Sequence, residues 1–192
     1  MSFESRRLID ARVMRAMAHP TRIDLMELVA REGELTATEA GERLGLSPAN
    51  CSFHLRQLAK HGFVEEGERR PGRARPWRLG SVRHSWDETG ADAETDAAAK
   101  ALTSVVLDRD VDRLHAWIAG RGDVGPAWRK AAFLTESLMY LTREELEALG
   151  RAITEQVLAY SDRIDPDRRP DGAVPVQFLT AGFPLPQTPT GN

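Results

Sequence analysis

Residues 36–61 read TATEAGERLGLSPANCSFHLRQLAKH and predict two helices joined by a tight turn. The first helix begins at a capping box, because Thr36 and Glu39 have the spacing at which each side chain accepts from the other's backbone N–H. Gly45 suits the left-handed backbone that ends a helix. A Ser-Pro pair then suits the N-cap and first position of a second helix, predicted over 48–61. This order predicts a helix-turn-helix.

The second of these helices has one apolar and one polar side. Cys51, Leu55 and Leu58 recur at helical spacing and predict the buried face. A helix held in this way can enter the major groove of DNA, where amide, hydroxyl and imidazole groups hydrogen-bond base edges and an aromatic ring contacts a thymine methyl. The predicted base contacts are Ser47, Asn50, Ser52, Phe53, His54 and Gln57.

A basic hairpin is predicted directly after this helix. Residues 63–66 read as a strand, 71–72 (PG) as a turn and 76–79 as the return strand. A structural turn does not need the four arginines that surround this tip, so the hairpin is interpreted as a wing that reaches the DNA backbone or minor groove. The predicted phosphate and wing contacts are Arg56, Lys60, Arg69, Arg70, Arg73 and Arg75.

The whole chain is predicted to be mainly α-helical, with this small β-hairpin wing and a C-terminal helical region that ends in a short strand. Further helices are expected at residues 4–17, 20–33, 93–119, 127–140 and 142–164, and the final strand at 174–180. The expected domains are a winged helix-turn-helix domain at 1–80, a linker at 81–94, a dimerisation or regulatory region at 95–180 and a flexible tail at 181–192.

The distribution of charge favours a polyanionic partner for the N-terminal part. Residues 1–80 carry 14 basic and 11 acidic side chains, whereas residues 81–192 carry 12 and 18. No run of about 18 apolar residues and no apolar signal segment is present, so a cytoplasmic protein without membrane contact is expected. The sequence has no Gly-rich phosphate loop, nucleophile elbow or catalytic pair of acids, and neither enzyme activity nor a cofactor is predicted.

Four short motifs occur in order along the N-terminal part. They are AHPTRI at 18–23, ELTATE at 34–39, LGLS at 44–47 and HLRQL at 54–58. Over about residues 8–80 the chain resembles the ArsR-type winged-helix repressors. The resemblance implies a homodimer that binds an imperfect palindrome at a promoter, with the helix after Ser47 as the recognition helix.

The sequence departs from the metal sensors of that family. Those proteins place cysteines in the helix that here reads LTATE at 35–39, and none is present. A second family site uses Asp and His on the dimer helix. Asp112 and His115 lie one helical turn apart, but no further His or Glu follows at a suitable position, so no metal is predicted. The single cysteine, Cys51, excludes an intrachain disulfide, and its apolar surroundings favour a core role over a redox switch.

The leading hypothesis is a sequence-specific DNA-binding transcriptional regulator that acts as a homodimeric repressor, with the 93–119 helix in the dimer. One alternative is a winged helix that docks a protein, with the acidic C-terminal region regulating it. Another is an apolar small-molecule sensor, in which Trp117, Trp128, Phe133, Met139 and Tyr140 line an effector pocket. Aromatic residues at helical spacing more often form a core, which favours the first hypothesis.

Overall fold

The computed structural model describes residues 5–68, 74–80, 83–86 and 92–186. These residues are mainly helical. The described helices are α1 (Ala11–Met17), α2 (Pro20–Glu32), α3 (Ala37–Leu44), α4 (Pro48–Lys60), α5 (Ala93–Ala119), α6 (Pro126–Ala131) and α7 (Arg143–Leu158). Short 3-10 turns lie at Arg121–Asp123, Ser161–Ile164 and Pro166–Arg168. No helix in these ranges has the length and apolarity needed to cross a membrane.

Five short strands form two small sheets. The strands are β1 (Ser5–Leu8), β2 (Glu34–Leu35), β3 (Val64–Glu66), β4 (Trp77–Leu79) and β5 (Arg83–Trp86). The wing is an antiparallel sheet in the order β2-β4-β3, and β1 pairs with β5 in parallel. The predicted hairpin is therefore confirmed, with a third strand, β2, on its far edge. Its tip, residues 69–73, lies outside the described residues.

The hydrophobic core lies among α1–α4, the wing strands and the first half of α5. Its largest fully buried side chains are Met14, Leu25, Val29, Cys51, Leu55, Leu58, Phe63, Val64 and Leu102. Leu102 belongs to α5, whose Ala98 and Ala99 are also buried in this core. Part of α5 is thus used for packing within its own chain.

The N-terminal prediction of one helix over 4–17 is wrong for residues 5–8, and the linker predicted at 81–94 includes a short strand. The first residues form β1, and α1 begins only after Asp10, whose carboxylate accepts from the backbone N–H of Arg12 at 2.7 Å. The partner of β1 is β5, which lies inside the predicted linker. Its Trp86 donates through Nε1 to the Thr103 hydroxyl at 2.9 Å, which ties the strand to α5.

Two predictions for the C-terminal region are also wrong. The helix expected over 127–140 stops with α6 at Ala131, and residues 132–142 form no helix or strand. Residues 174–180 alternate in polarity but do not form a strand, because no strand pairs with them among the described residues. The helix predicted over 142–164 is shorter, since α7 ends at Leu158. Periodicity alone does not fix a helix or strand that has no surface to bury against.

The chain divides into two compact units. The first comprises Met1–Ile118 and Asp162–Pro175, and the second comprises Ala119–Ser161 and Val176–Asn192. Within the first unit the returning segment is fastened to α2. The Arg169 guanidinium donates to the carbonyls of Ala30 and Arg31 at 3.0 and 2.8 Å, at the end of the helix where carbonyls lack helical partners.

Candidate nucleic-acid interface

The turn between α3 and α4 sets the angle between these two helices. Thr36 caps α3 through the predicted capping box, and Gly45 ends the helix in the left-handed conformation at φ 67°. The backbone N–H of Leu46 then donates to the carbonyl of Gly41 at 2.9 Å. A Cβ at position 41 would lie 2.6 Å from the Leu46 carbonyl oxygen, so only glycine allows this close approach.

The inner face of α4 is held as the sequence predicts. The Ser47 hydroxyl accepts from the backbone N–H of Asn50 at 3.2 Å and begins the helix. Cys51, Leu55 and Leu58 have no exposed surface. Burial raises the pKa of the Cys51 thiol, with a smaller opposing contribution from a backbone hydrogen bond. A buried thiol that favours its protonated form acts here as a small core residue.

The outer face of α4 carries most of the predicted base contacts. Ser47, Asn50 and Phe53 are exposed, and Phe53 keeps 52% of its surface accessible. Ser52 and Gln57 are half-buried at the edges of this face. Exposed cations flank them at Arg56 and Lys60, and Arg56 donates to the Ser52 hydroxyl at 3.1 Å. Short polar groups and cations therefore share one side of a helix whose other side is anchored.

His54 is the exception and corrects the sequence prediction. Only 8% of the surface of His54 is exposed, because its ring packs inward against His19 and does not face solvent. Its ring lies 4.6 Å from that of His19, centroid to centroid, and 5.1 Å from that of Phe53. His54 is next to polar positions of the helix in the sequence, but its i+3 spacing from Cys51 is equally a core spacing. We therefore remove His54 from the base contacts.

The wing presents cations that are partly engaged with acids of the neighbouring strand. Arg75 pairs with Glu66 at 2.8 Å and Arg78 pairs with Glu65 at 2.9 Å, and all four side chains are about half-exposed. Such exposed pairs contribute little stability and exchange readily for another anion. Arg69, Arg70 and Arg73 lie outside the described residues.

His54 of α4 lies in a cluster with His19 and Arg22, and this cluster is expected to make the stability of the domain depend on pH. Burial lowers the pKa of His54, and nearby His19 and Arg22 lower it further. Burial and then Arg22 likewise lower the pKa of His19. Among the described residues, the buried Nδ1 atoms of both histidines and the buried Nε of Arg22 have no hydrogen-bond partner. The folded state therefore favours both imidazoles uncharged.

We expect the domain to lose stability as the pH falls below the ordinary histidine value of 6.5. Because the folded pKa values are lowered, the unfolded chain binds protons first, and the free energy of unfolding drops from there through the folded pKa. Urea unfolding at about pH 7.5 and about pH 5 measures this. His19→Asn should flatten the dependence, whereas His115→Asn on exposed α5 surface should leave it in place. An equal loss in all three proteins would contradict the assignment.

The sequence analysis missed two clusters of polar contacts, both of which involve α2. Arg109 and Arg113 of α5 face Asp24 and Glu27 of α2, with Arg113 donating to Glu27 at 2.5 Å and Arg109 lying 3.3 Å from it. Burial acts to lower the pKa of Arg113, but the hydrogen bond and the charges of Glu27 and Asp24 raise it overall. The i,i+4 spacing of the arginines and the i,i+3 spacing of the acids were visible signals.

The second cluster is the Arg169 contact with the end of α2, for which the sequence offered no signal. Candidate metal ligands are not gathered in the part of the chain described. No group of three His, Cys, Asp or Glu side chains lies together there, and Asp112 and His115 are exposed on α5.

Comparison with known proteins agrees with this geometry. The pattern that defines a helix-turn-helix domain matches residues 17–67. Over 73 residues the chain is 38% identical to a probable mercury resistance operon repressor of Streptomyces lividans. The aligned part is 38% of this chain and spans 56% of the relative's length. Residues 17–67 are therefore a helix-turn-helix domain.

Proposed function

We propose that the protein is a sequence-specific DNA-binding transcriptional regulator of the ArsR-type winged-helix kind. The observation that carries the proposal is α4 itself. Its apolar face is buried, its N-terminus is capped by Ser47, and Asn50, Phe53 and Arg56 project from its exposed side. Such a helix enters the major groove while the wing contacts the backbone or minor groove.

The proposed regulator is a cytoplasmic homodimer that binds at a promoter and represses transcription. The α5 residues Leu107, Val111, Leu114 and Ile118 form a stripe at helical spacing that the core of their own unit does not bury, and Leu107 and Ile118 are exposed. A stripe of this kind suits a helix–helix contact between two copies. Repression is inferred from the relative's name. The one cysteine, Cys51, lies on the buried face of α4, so we propose no effector site built on a thiol.

The decisive experiment is selection of genomic fragments by the purified full chain, followed by anisotropy titration of the selected duplex and a scrambled one. We expect the selected site to bind at least about 1,000-fold more tightly than the scrambled duplex. Equal affinity for both duplexes, or no binding at low salt, would reject a sequence-specific regulator.

Two substitutions should relax specificity without removing general affinity. Asn50→Ala and Gln57→Ala each remove an amide that can pair with adenine, at a cost of about 1–3 kcal/mol on the correct site. Binding to the scrambled duplex should hardly change. Titration of both duplexes with each variant measures the ratio, with Gln156→Ala on α7 as the matched amide control. An equal loss of affinity for both duplexes would indicate that these residues contact the DNA backbone instead of the bases.

Substitutions in the wing should change the affinity for every DNA sequence. Loss of a basic side chain should weaken binding, and loss of an acidic one should strengthen it. Arg73→Ala with Arg75→Ala should weaken binding to every duplex and reduce the salt slope by about 1 for each lost phosphate contact. Glu66→Gln should do the opposite, because it frees Arg75 from its 2.8 Å partner and removes a negative charge. Arg143→Ala on α7 is the control. If the wing variants keep the wild-type slope across several salt concentrations, the wing does not touch phosphate.

A further inference from the structure

Among the described residues of the second compact unit, 119–161 and 176–186, no side chain is buried in a core. We call its residues 126–160 and 176–186 the C-terminal arm. None of the arm's side chains is buried. Its most prominent apolar groups are exposed, and the aromatic ones are Trp128, Phe133, Tyr140, Tyr160, Phe178 and Phe183. Monomeric proteins rarely expose apolar patches larger than a few hundred Å².

The exposed apolar surface is large enough for a stable interface. The six aromatic side chains are between 45% and 98% exposed, which corresponds to roughly 800 Å² if each ring offers about 200 Å². A standard protein interface takes about 800 Å² from each partner. The aliphatic side chains of the arm add to this area.

The arm is ordered internally although it is uncovered. Phe133 and Phe178 bring its two parts together with their ring centroids 6.0 Å apart, and Leu146 of α7 lies beside Gly182. On α7, Leu146 and Ile153 are half-buried, and Leu149 and Val157 continue the stripe toward solvent. The arm therefore has one amphipathic helix, α7, and two stretches without helix or strand, and it needs a partner to cover their apolar groups.

The charges of the arm favour a second copy over a membrane. Residues 119–161 carry five basic and six acidic side chains, and residues 176–192 carry none. Attachment to anionic lipid needs an excess of Lys and Arg, which is absent. Interspersed charges of both signs suit a self-complementary surface. The half-exposed α5 stripe also ends at Ile118, next to the residue where the second unit begins.

We propose that the C-terminal arms of two copies pack together into a shared hydrophobic core, so that the chain is an obligate dimer. This rests on the homodimer of the proposed function and deepens it by adding an interface beyond α5. The dimer then persists at concentrations at which a contact through α5 alone dissociates.

Light scattering after gel filtration, from micromolar down to low nanomolar full-length protein, tests the proposal. Tyr140 and Phe183 are 98% and 70% exposed, so Tyr140→Ser with Phe183→Ser removes almost no contact within one chain. We expect the wild type to remain dimeric and this variant to dissociate at least about 100-fold more readily. Ile9→Ser, at a position 75% exposed outside the arm, should behave as wild type.

A second measurement does not depend on substitutions. Hydrogen exchange should show slow exchange for residues 132–142 in the wild type, although these residues form no helix or strand. A monomeric wild type, a dimer unchanged by the arm substitutions, or fast exchange throughout 132–142 would each overturn the shared core. DNA binding is scored separately. A dimer that does not bind DNA would contradict the proposed regulator but support the arm interface. Specific DNA binding by a protein whose arm is exposed to solvent would support the regulator and contradict the arm interface.

Discussion

Gly41→Val should lower the free energy of unfolding by about 3 kcal/mol and abolish tight DNA binding. The added side chain begins 2.6 Å from the Leu46 carbonyl oxygen and meets the backbone at Pro48 and Ser47 within 3.5 Å. Backbone atoms cannot rotate away as a flexible side chain does. The substitution must therefore push α4 away from α3, and α4 carries the proposed base contacts.

Ala101→Val is the matched control for this result. Ala101 also lies within a helix, α5, but it is exposed and lies outside the C-terminal arm. The stability of this variant should stay within about 0.5 kcal/mol of the wild type. Urea unfolding and anisotropy titration of both variants separate the close approach from the general effect of a β-branched residue in a helix. Equal stability of the two variants would show that α3 and α4 can move apart without destabilising the fold.

The sequence predicted best those features that depend on a few neighbouring residues. The capping boxes at Thr36 and Thr142, the left-handed Gly45 and the Ser47 cap are all present. Each is a hydrogen bond or backbone preference within four residues, so composition and spacing specify it. The helix-turn-helix and most of its exposed polar face followed from these signals.

Features that depend on distant partners were not predictable in this way. Strand β1 exists because β5, nearly 80 residues later, pairs with it. The alternating residues 174–180 find no such partner among the described residues and form no strand. His54 could lie on either side of α4 until the position of His19 was known. In each case a local pattern allowed two outcomes, and tertiary packing selected one.

Arg109→Met should lower the free energy of unfolding by about 3 kcal/mol. Asp110 is buried and its carboxylate lies 3.2 Å from the Arg109 guanidinium, which also lies 3.3 Å from Glu27. Removing the cation leaves a buried carboxylate that has lost its nearest positive charge, a situation far more costly than losing an exposed pair. Methionine keeps most of the side-chain volume, so packing changes little.

Two controls distinguish this charge effect from a general loss of packing. Lys100→Met removes an exposed cation from the same helix, one that pairs with Asp96 at 2.8 Å, and should change stability by less than about 0.5 kcal/mol. Adding Asp110→Asn to Arg109→Met should restore much of the lost stability, because the uncompensated buried charge is then gone. Urea unfolding of the wild type and these three variants shows whether neutralising Asp110 recovers the stability that Arg109→Met loses. If the double variant is less stable than Arg109→Met, the cost lies in the lost contact between α5 and α2, and Arg109 holds these helices together by packing rather than by charge.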